Sequence, residues 1–220
     1  MSDSKVKTIL VYGDSNTWGY VPHESIRATR ARYPYDKRWC GVMALKLGSL
    51  YQVIEAGLCG RNTSVDDFFF DNNIDLNGFR TFATIFESAN PVDILIIMLG
   101  TNDLLDRVNL PLDKSASAIK KMIKKAREYN LKPFKTIVIA PPPISEGKNF
   151  AVNILYGERA GDSYHFYEAL KSALDGMEDV ILVDAREVIA KADGVDGIHL
   201  SEASHQKLGQ FIYEVVKKIE

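Results

Sequence analysis

Five short apolar runs recur along the chain: "KTILVY" (7–12), "YQVIEA" (51–56), "VDILIIML" (92–99), "FKTIVIA" (134–140) and "DVILVD" (179–184). Each is nearly continuous in apolar character, which suits a strand covered on both faces; a strand half in water would alternate. Between the runs, apolar residues return with helical spacing. Trp39, Val42, Met43, Leu45 and Leu47 mark a first helix. Ala116, Ile119, Ile123 and Ala126 stand at i, i+3, i+7 and i+10 in another, and Tyr167, Leu170 and Leu174 mark a third. The last carries Leu208, Phe211, Ile212, Val215 and Ile219, with Ser201 as its N-cap. Segment 75–90 also reads as helix, with Pro91 just beyond its end. Strands alternating with helices predict an α/β fold: a five-stranded parallel sheet inside a three-layer α/β/α sandwich. No repeat, low-complexity segment or linker interrupts the pattern. At 220 residues, one domain over 1–220 is expected.

By analogy with flavodoxin-like folds, the strand order is expected to be 2-1-3-4-5, with ligands bound outside the carboxyl ends of the strands. The segments after the five strands are "GDSNT", "GLCGRNT", "GTND", "PPPISEG" and, past a short helical stretch, "DGVDGIHLS". They are expected to gather at one edge of the sheet. Composition narrows the partners. The net charge of -2 leaves no electrostatic footprint for nucleic acid or an anionic membrane. The lysines of "KSASAIKKMIKKAREYN" read as the solvated face of one helix. The longest aliphatic run, "ILIIML" (94–99), is too short to span a bilayer, and the first residues carry no signal-peptide pattern. A cytoplasmic location is the expectation. Cys40 and Cys59 have no zinc or redox spacing and read as buried thiols.

Ser15 follows the first strand, where a turn can expose a hydroxyl. A serine needs a base to become a nucleophile. The chain has four histidines: His23, His165, His199 and His205. His199 is the candidate base, since Asp196 lies three residues before it and can turn back to fix the imidazole tautomer, whereas His23 reads as a loop residue and His165 and His205 as helical. Acyl transfer also needs oxyanion donors: the backbone N–H groups of Ser15 and Gly60 and the side-chain amide of Asn102. Each of these residues has a plain alternative. Ser15 can be a turn serine or N-cap, Asn102 an Asx turn and His199 a helix start. Gly60 can be a turn glycine, with Gly57 then the better-placed residue. Asp14 is not counted as a catalyst, and Asp103 is read as having no chemical part. Trp18, Tyr20 and Val195 flank the candidates and either line a substrate pocket or pack in the core.

Taken together, "GDSNTWG" with Ser15, "EAGLCGRNT" with Gly60, "GTND" with Asn102 and "DGIH" with Asp196 and His199 resemble the four signature blocks of the SGNH hydrolase (GDSL-type esterase and lipase) superfamily. They occur in the family's order over residues 7 to 205. Asn16 stands where the name-giving GDSL has leucine, at a variable, non-catalytic position. "RYPYDKRW", with the Arg38–Trp39 pair, and "DGVDGIHLSEASH" are similar to the bacterial arylesterase or acetylesterase branch. The resemblance implies a serine esterase cleaving small acyl (acetyl-type) esters. Its catalytic residues would be Ser15, Asp196 and His199, and its oxyanion donors Ser15, Gly60 and Asn102. No metal or organic cofactor is implied, and the partner is a small-molecule ester. Some members of that branch form octamers, and the three phenylalanines of "DDFFFDNN" (66–73) fit a homo-oligomer contact. The long segment 141–162 fits a lid or substrate wall, or else an interface arm. Two other readings are a phosphate- or flavin-binding flavodoxin-like module and a non-catalytic carbohydrate-binding protein on the same scaffold. The first has no Walker lysine, and Asp14 would repel a phosphate.

Overall fold

The computed structural model describes residues 5–24, 29–67, 74–145 and 150–219. Five strands, β1 (Lys7–Gly13), β2 (Tyr51–Gly57), β3 (Ile94–Met98), β4 (Lys135–Ala140) and β5 (Val180–Asp184), pair in the order β2-β1-β3-β4-β5. Every pairing is parallel. The helices are α1 (Ser15–Trp18), α2 (Trp39–Leu47), α3 (Gly78–Ala89), α4 (Leu112–Tyr129), α5 (Phe150–Tyr156), α6 (Phe166–Leu174) and α7 (Glu202–Lys218). This is the expected α/β/α sandwich in the expected order.

Successive side chains of a strand point to opposite faces. Leu10, Tyr12, Leu95, Ile97, Val138 and Ala140 join residues of α3, α4 and α6 in one buried cluster. Ile9, Val11, Ile94, Ile96, Ile137 and Ile139 join α2 and α7 in the other. Two cores on two faces explain why the strands read as unbroken apolar runs. The cover is complete only at the centre. β3 is buried throughout, whereas β2 and β5, at the sheet edges, are mostly half-buried. The helical stripes hold with one exception. Leu45 of α2 is 63% exposed, because the buried face of that helix runs through Trp39, Cys40, Val42 and Met43. α3 starts later than the sequence suggests, with Asn77 as its N-cap accepting from Arg80 N. Ser201 caps α7 as expected, accepting from Ser204 N.

A third cluster sits beyond the carboxyl ends of the strands. Leu104, Leu105, Ile144, Val152, Tyr156 and Ile198 pack together there. They join the segments that follow β3, β4 and β5 into one platform. The described part of segment 141–162 supplies α5 and the start of a 3-10 stretch (Gly157–His165) to this platform. The three phenylalanines at 68–70 lie outside the described residues. Among the described residues, no helix is long and apolar enough to cross a membrane.

Candidate active site

The turn after β1 is built by close approach. A Cβ on Gly13 would lie 2.0 Å from Thr17 Oγ1, so only glycine lets α1 fold back onto the strand end. Asp14 is the N-cap, and its Oδ1 accepts from Asn16 N at 2.9 Å. Ser15 opens the helix, and Gly19 closes it at φ +87°. β2 packs directly on this helix, since a Cβ on Gly57 would lie 2.3 Å from Trp18 N. Gly57 therefore serves packing. Gly60, three residues on, adopts φ +82° in the loop itself.

His199 comes from the turn before α7. Its Nε2 lies 2.9 Å from Ser15 Oγ, and its Nδ1 lies 2.7 Å from Asp196 Oδ2. The other carboxylate oxygen of Asp196 accepts from the backbone N–H groups of Ile198 and His199, each at 2.9 Å. Burial pushes the Asp196 carboxyl up, but the His199 hydrogen bond and charge and these two N–H groups outweigh it and hold its pKa below the usual range. An ionised Asp196 favours the tautomer with a proton on Nδ1, which leaves Nε2 to accept from Ser15. The ring of Tyr20 stacks on the imidazole, with centroids 4.2 Å apart and planes 28° apart.

Blocks two and three are stitched to each other. Asn102 Nδ2 donates to Arg61 O at 3.0 Å. Asp103, given no part by the sequence, is fully buried and accepts from Thr63 N and Thr63 Oγ1 at 2.7 Å each. Burial raises its pKa to about 6 against hydrogen bonds from Ser115 and Thr63. Arg61 is buried, donates to Gly13 O at 2.7 Å and to Ala56 O, and lies over the Tyr12 ring. It ties the carboxyl ends of β1 and β2 to the Gly60 loop. These clamps place Gly60 and Asn102 beside the turn that carries Ser15. Among the described residues, no acceptor pairs with the backbone N–H of Ser15 or Gly60.

The remaining residues separate. Asp14 is fully buried, its Oδ2 has no partner among the described residues, and burial raises its pKa to about 6 despite Asn16 N, His199 and Arg61. Trp18, Tyr20 and Val195 belong to none of the core clusters among the described residues. Trp18 is half-buried with Arg30 and Arg32 against its ring, and Val195 is 57% exposed. The Arg38–Trp39 pair supports the turn from behind. Arg38 pairs with Glu55 on β2 at 2.6 Å, and its stem fills the space a Cβ on Gly19 would take. His205 is buried behind the site, its Nδ1 accepting from Trp39 N at 3.4 Å. Cys40 and Cys59 are free thiols whose pKa values burial raises, that of Cys59 to about 11. Among the described residues, no three His, Cys, Asp or Glu side chains come together as a metal-ligand set.

Asn16, set aside as a variable position, does more than the sequence suggested. Its Oδ1 accepts from Leu200 N at 3.0 Å, and its Nδ2 donates to Ile198 O at 3.4 Å. No short motif announces these bonds, because their partners are backbone groups 182 and 184 residues away.

Comparison with known proteins identifies the family and the fold. Among curated proteins, no sequence matches significantly. Among solved structures, the native aryl esterase of M. smegmatis superposes with a TM-score of 0.87 at 31% identity, over 97% of this chain and 100% of that one. A carbohydrate acetylesterase from Sinorhizobium meliloti does so with a TM-score of 0.87 at 33% identity, over 97% and 100%. A second carbohydrate acetylesterase family member from Sinorhizobium meliloti gives 0.87 at 28% identity, over 96% and 98%. The model of the GDSL-like lipase/acylhydrolase family matches residues 11–207. With the signature blocks gathered at one sheet edge and that model spanning nearly all of the sequence, the chain belongs to the GDSL-like lipase/acylhydrolase family, within the SGNH hydrolase superfamily.

Proposed function

We propose that the protein is a serine esterase hydrolysing small acyl esters of the acetyl type, acting as one hydrolase domain over residues 1–220. Ser15 Oγ attacks the ester carbonyl while His199 Nε2 takes its proton. Asp196 holds the imidazole and stabilises the imidazolium. The oxyanion is received by the backbone N–H groups of Ser15 and Gly60 and by the Asn102 amide. One hydrogen of that amide is used by Arg61 O, and the other is left for the substrate. Each such donor contributes about 3 kcal/mol to transition-state stabilisation. His199 then protonates the departing alcohol. Water, activated by the same base, opens the acyl-enzyme and restores Ser15.

The observation that carries this reading is the unbroken relay from Asp196 through His199 to Ser15, with links of 2.7 and 2.9 Å. The small-acyl preference is supported by the aryl and carbohydrate acetylesterase structures that the chain resembles. Trp18, Tyr20 and Val195 are proposed to line the substrate mouth. A phosphate-binding turn is disfavoured, because the Asp14 carboxylate already occupies the helix N-terminus where a phosphate would sit. The test is Ser15→Ala with p-nitrophenyl acetate and with acetylated sugars. Turnover is expected to vanish into background, and turnover at the wild-type rate would end the proposal.

A further inference from the structure

We propose that Asn16 is a positioning residue that sets the distance between nucleophile and base. The inference rests on the reading of Ser15 and His199 as that pair. Asn16 is the residue after Ser15 and is buried. Its amide holds the catalytic histidine's segment on both sides: Oδ1 accepts from Leu200 N at 3.0 Å and Nδ2 donates to Ile198 O at 3.4 Å. Among the described residues, these are the hydrogen bonds between the nucleophile turn and segment 196–200, apart from the Ser15–His199 contact itself.

Two sets of bonds bear on the pair itself, beside those that hold the turn to its own loop and to the segment after β4, Gly194 N to His199 O at 2.9 Å and Ser145 N to Gly197 O at 2.8 Å. Asp196 is tied to His199 from within the same short turn, through its ring and through the N–H groups of Ile198 and His199. Asp196 and His199 therefore move as one unit. Nothing in that local set fixes where the unit sits relative to Ser15. Asn16 does, because its backbone is continuous with Ser15 while its amide grips the residues before and after His199. Asn16 N in turn is held by Asp14 Oδ1, so the gripping side chain starts from a capped and fixed position. A leucine at this position fills similar space but can neither accept from Leu200 N nor donate to Ile198 O. Loss of the grip is expected to let the Asp196–His199 unit drift as a whole. The 2.7 Å bond then survives and the 2.9 Å bond lengthens.

The experiment compares Asn16→Leu, Asn16→Ala and Ser15→Ala with wild type. It measures kcat and KM for p-nitrophenyl acetate, the rate of Ser15 labelling by a fluorophosphonate, and the downfield proton resonance of the His199–Asp196 hydrogen bond. Rates are normalised to folded protein by circular dichroism; if the leucine variant does not fold, the alanine variant, which leaves room for water at both backbone groups, gives the reading. The expected result is a fall in kcat and in labelling rate of about 10- to 100-fold, with KM within about threefold. The downfield proton should persist. A folded variant with kcat and labelling within about twofold of wild type overturns the role, as does a change confined to KM. Loss of the downfield proton together with activity also overturns it, since that marks general disruption of the turn. The two proposals fail separately. Activity surviving in Ser15→Ala removes the esterase mechanism, whereas a silent Ser15→Ala beside a fully active Asn16→Leu removes only the role of Asn16.

Discussion

Two histidines six residues apart at the start of the last helix have opposite surroundings. His199, in the turn before α7, has a carboxylate on one ring nitrogen, a serine hydroxyl near the other and a tyrosine ring on its face. His205, one turn inside α7, is fully buried, accepts one backbone N–H from Trp39, and among the described residues has no partner for Nε2. The Tyr33 ring stands edge-on to it at 5.3 Å. Burial pushes the His205 pKa down to about 3; His199 and Arg38 act in the same direction, and Asp193 opposes them. The contrast is one of available partners. A buried imidazole can gain a proton only where a neighbouring anion offsets the lost solvation. Among the described residues, His199 has Asp196 in hydrogen-bond contact, and His205 has no carboxylate so placed.

The largest effect that would break the contrast is expected at His199. His199→Ala should lower kcat about 10⁴-fold or more, while His205→Gln should stay within about threefold in the same p-nitrophenyl acetate assay. Equal losses would mean that the two histidines were assigned to the wrong roles. Next comes the anion that separates them. Asp196→Asn preserves shape but removes the charge, and kcat should drop on the order of 10³- to 10⁴-fold with KM little changed.

A stability measurement sharpens the other side of the contrast. The unfolded chain binds a proton at His205 below about pH 6.5, whereas the folded protein resists it down to about 3. The unfolded state therefore holds more protons in that window, and the contribution of His205 to stability is lost as pH falls through it. Asp14 and Asp103 act in the opposite sense. Their folded pKa values are raised to about 6 from 3.8, so they add stability as pH falls through 6. The difference between wild type and His205→Gln isolates the histidine. Urea unfolding at pH 7 and pH 4.5 should show the variant losing less stability on acidification than wild type. Parallel pH slopes would mean that His205 is already charged or solvated. The smallest effect concerns Tyr20. Tyr20→Leu removes the aromatic face stacked on His199, where the proposed mechanism forms an imidazolium, and kcat is expected to fall about two- to fivefold.

Much of this was legible in the residues themselves. The Asp196–His199 pairing was readable because a spacing of three places both groups in one turn and "DGIH" completes the order of the signature blocks; the spacing alone recurs at Asp162–His165 and Glu202–His205. The sheet was readable because its central strands carry apolar side chains on both faces. Its edges were less so, since "YQVIEA" and "DVILVD" look as apolar as the core strands yet are half-covered. Cover depends on which strand lies at the border. Leu45 misled for a related reason: a helical stripe names a face but not its width.

The sequence by itself determined the alternation of strands and helices, the polar segments following the strands, and the short spacing of Asp196 and His199. These are local properties, carried by side-chain chemistry at short spacing. Only the tertiary structure decided that Ser15 Oγ and His199 Nε2, 184 residues apart, stand 2.9 Å from each other. It also decided that Asn16 grips Ile198 and Leu200, that Asp103 clamps Thr63 and that Arg61 binds the ends of two strands. Most of these bonds end on a backbone N–H or carbonyl. Every residue but proline carries both groups, so such a partner leaves no mark in the sequence and is chosen only when the chain folds.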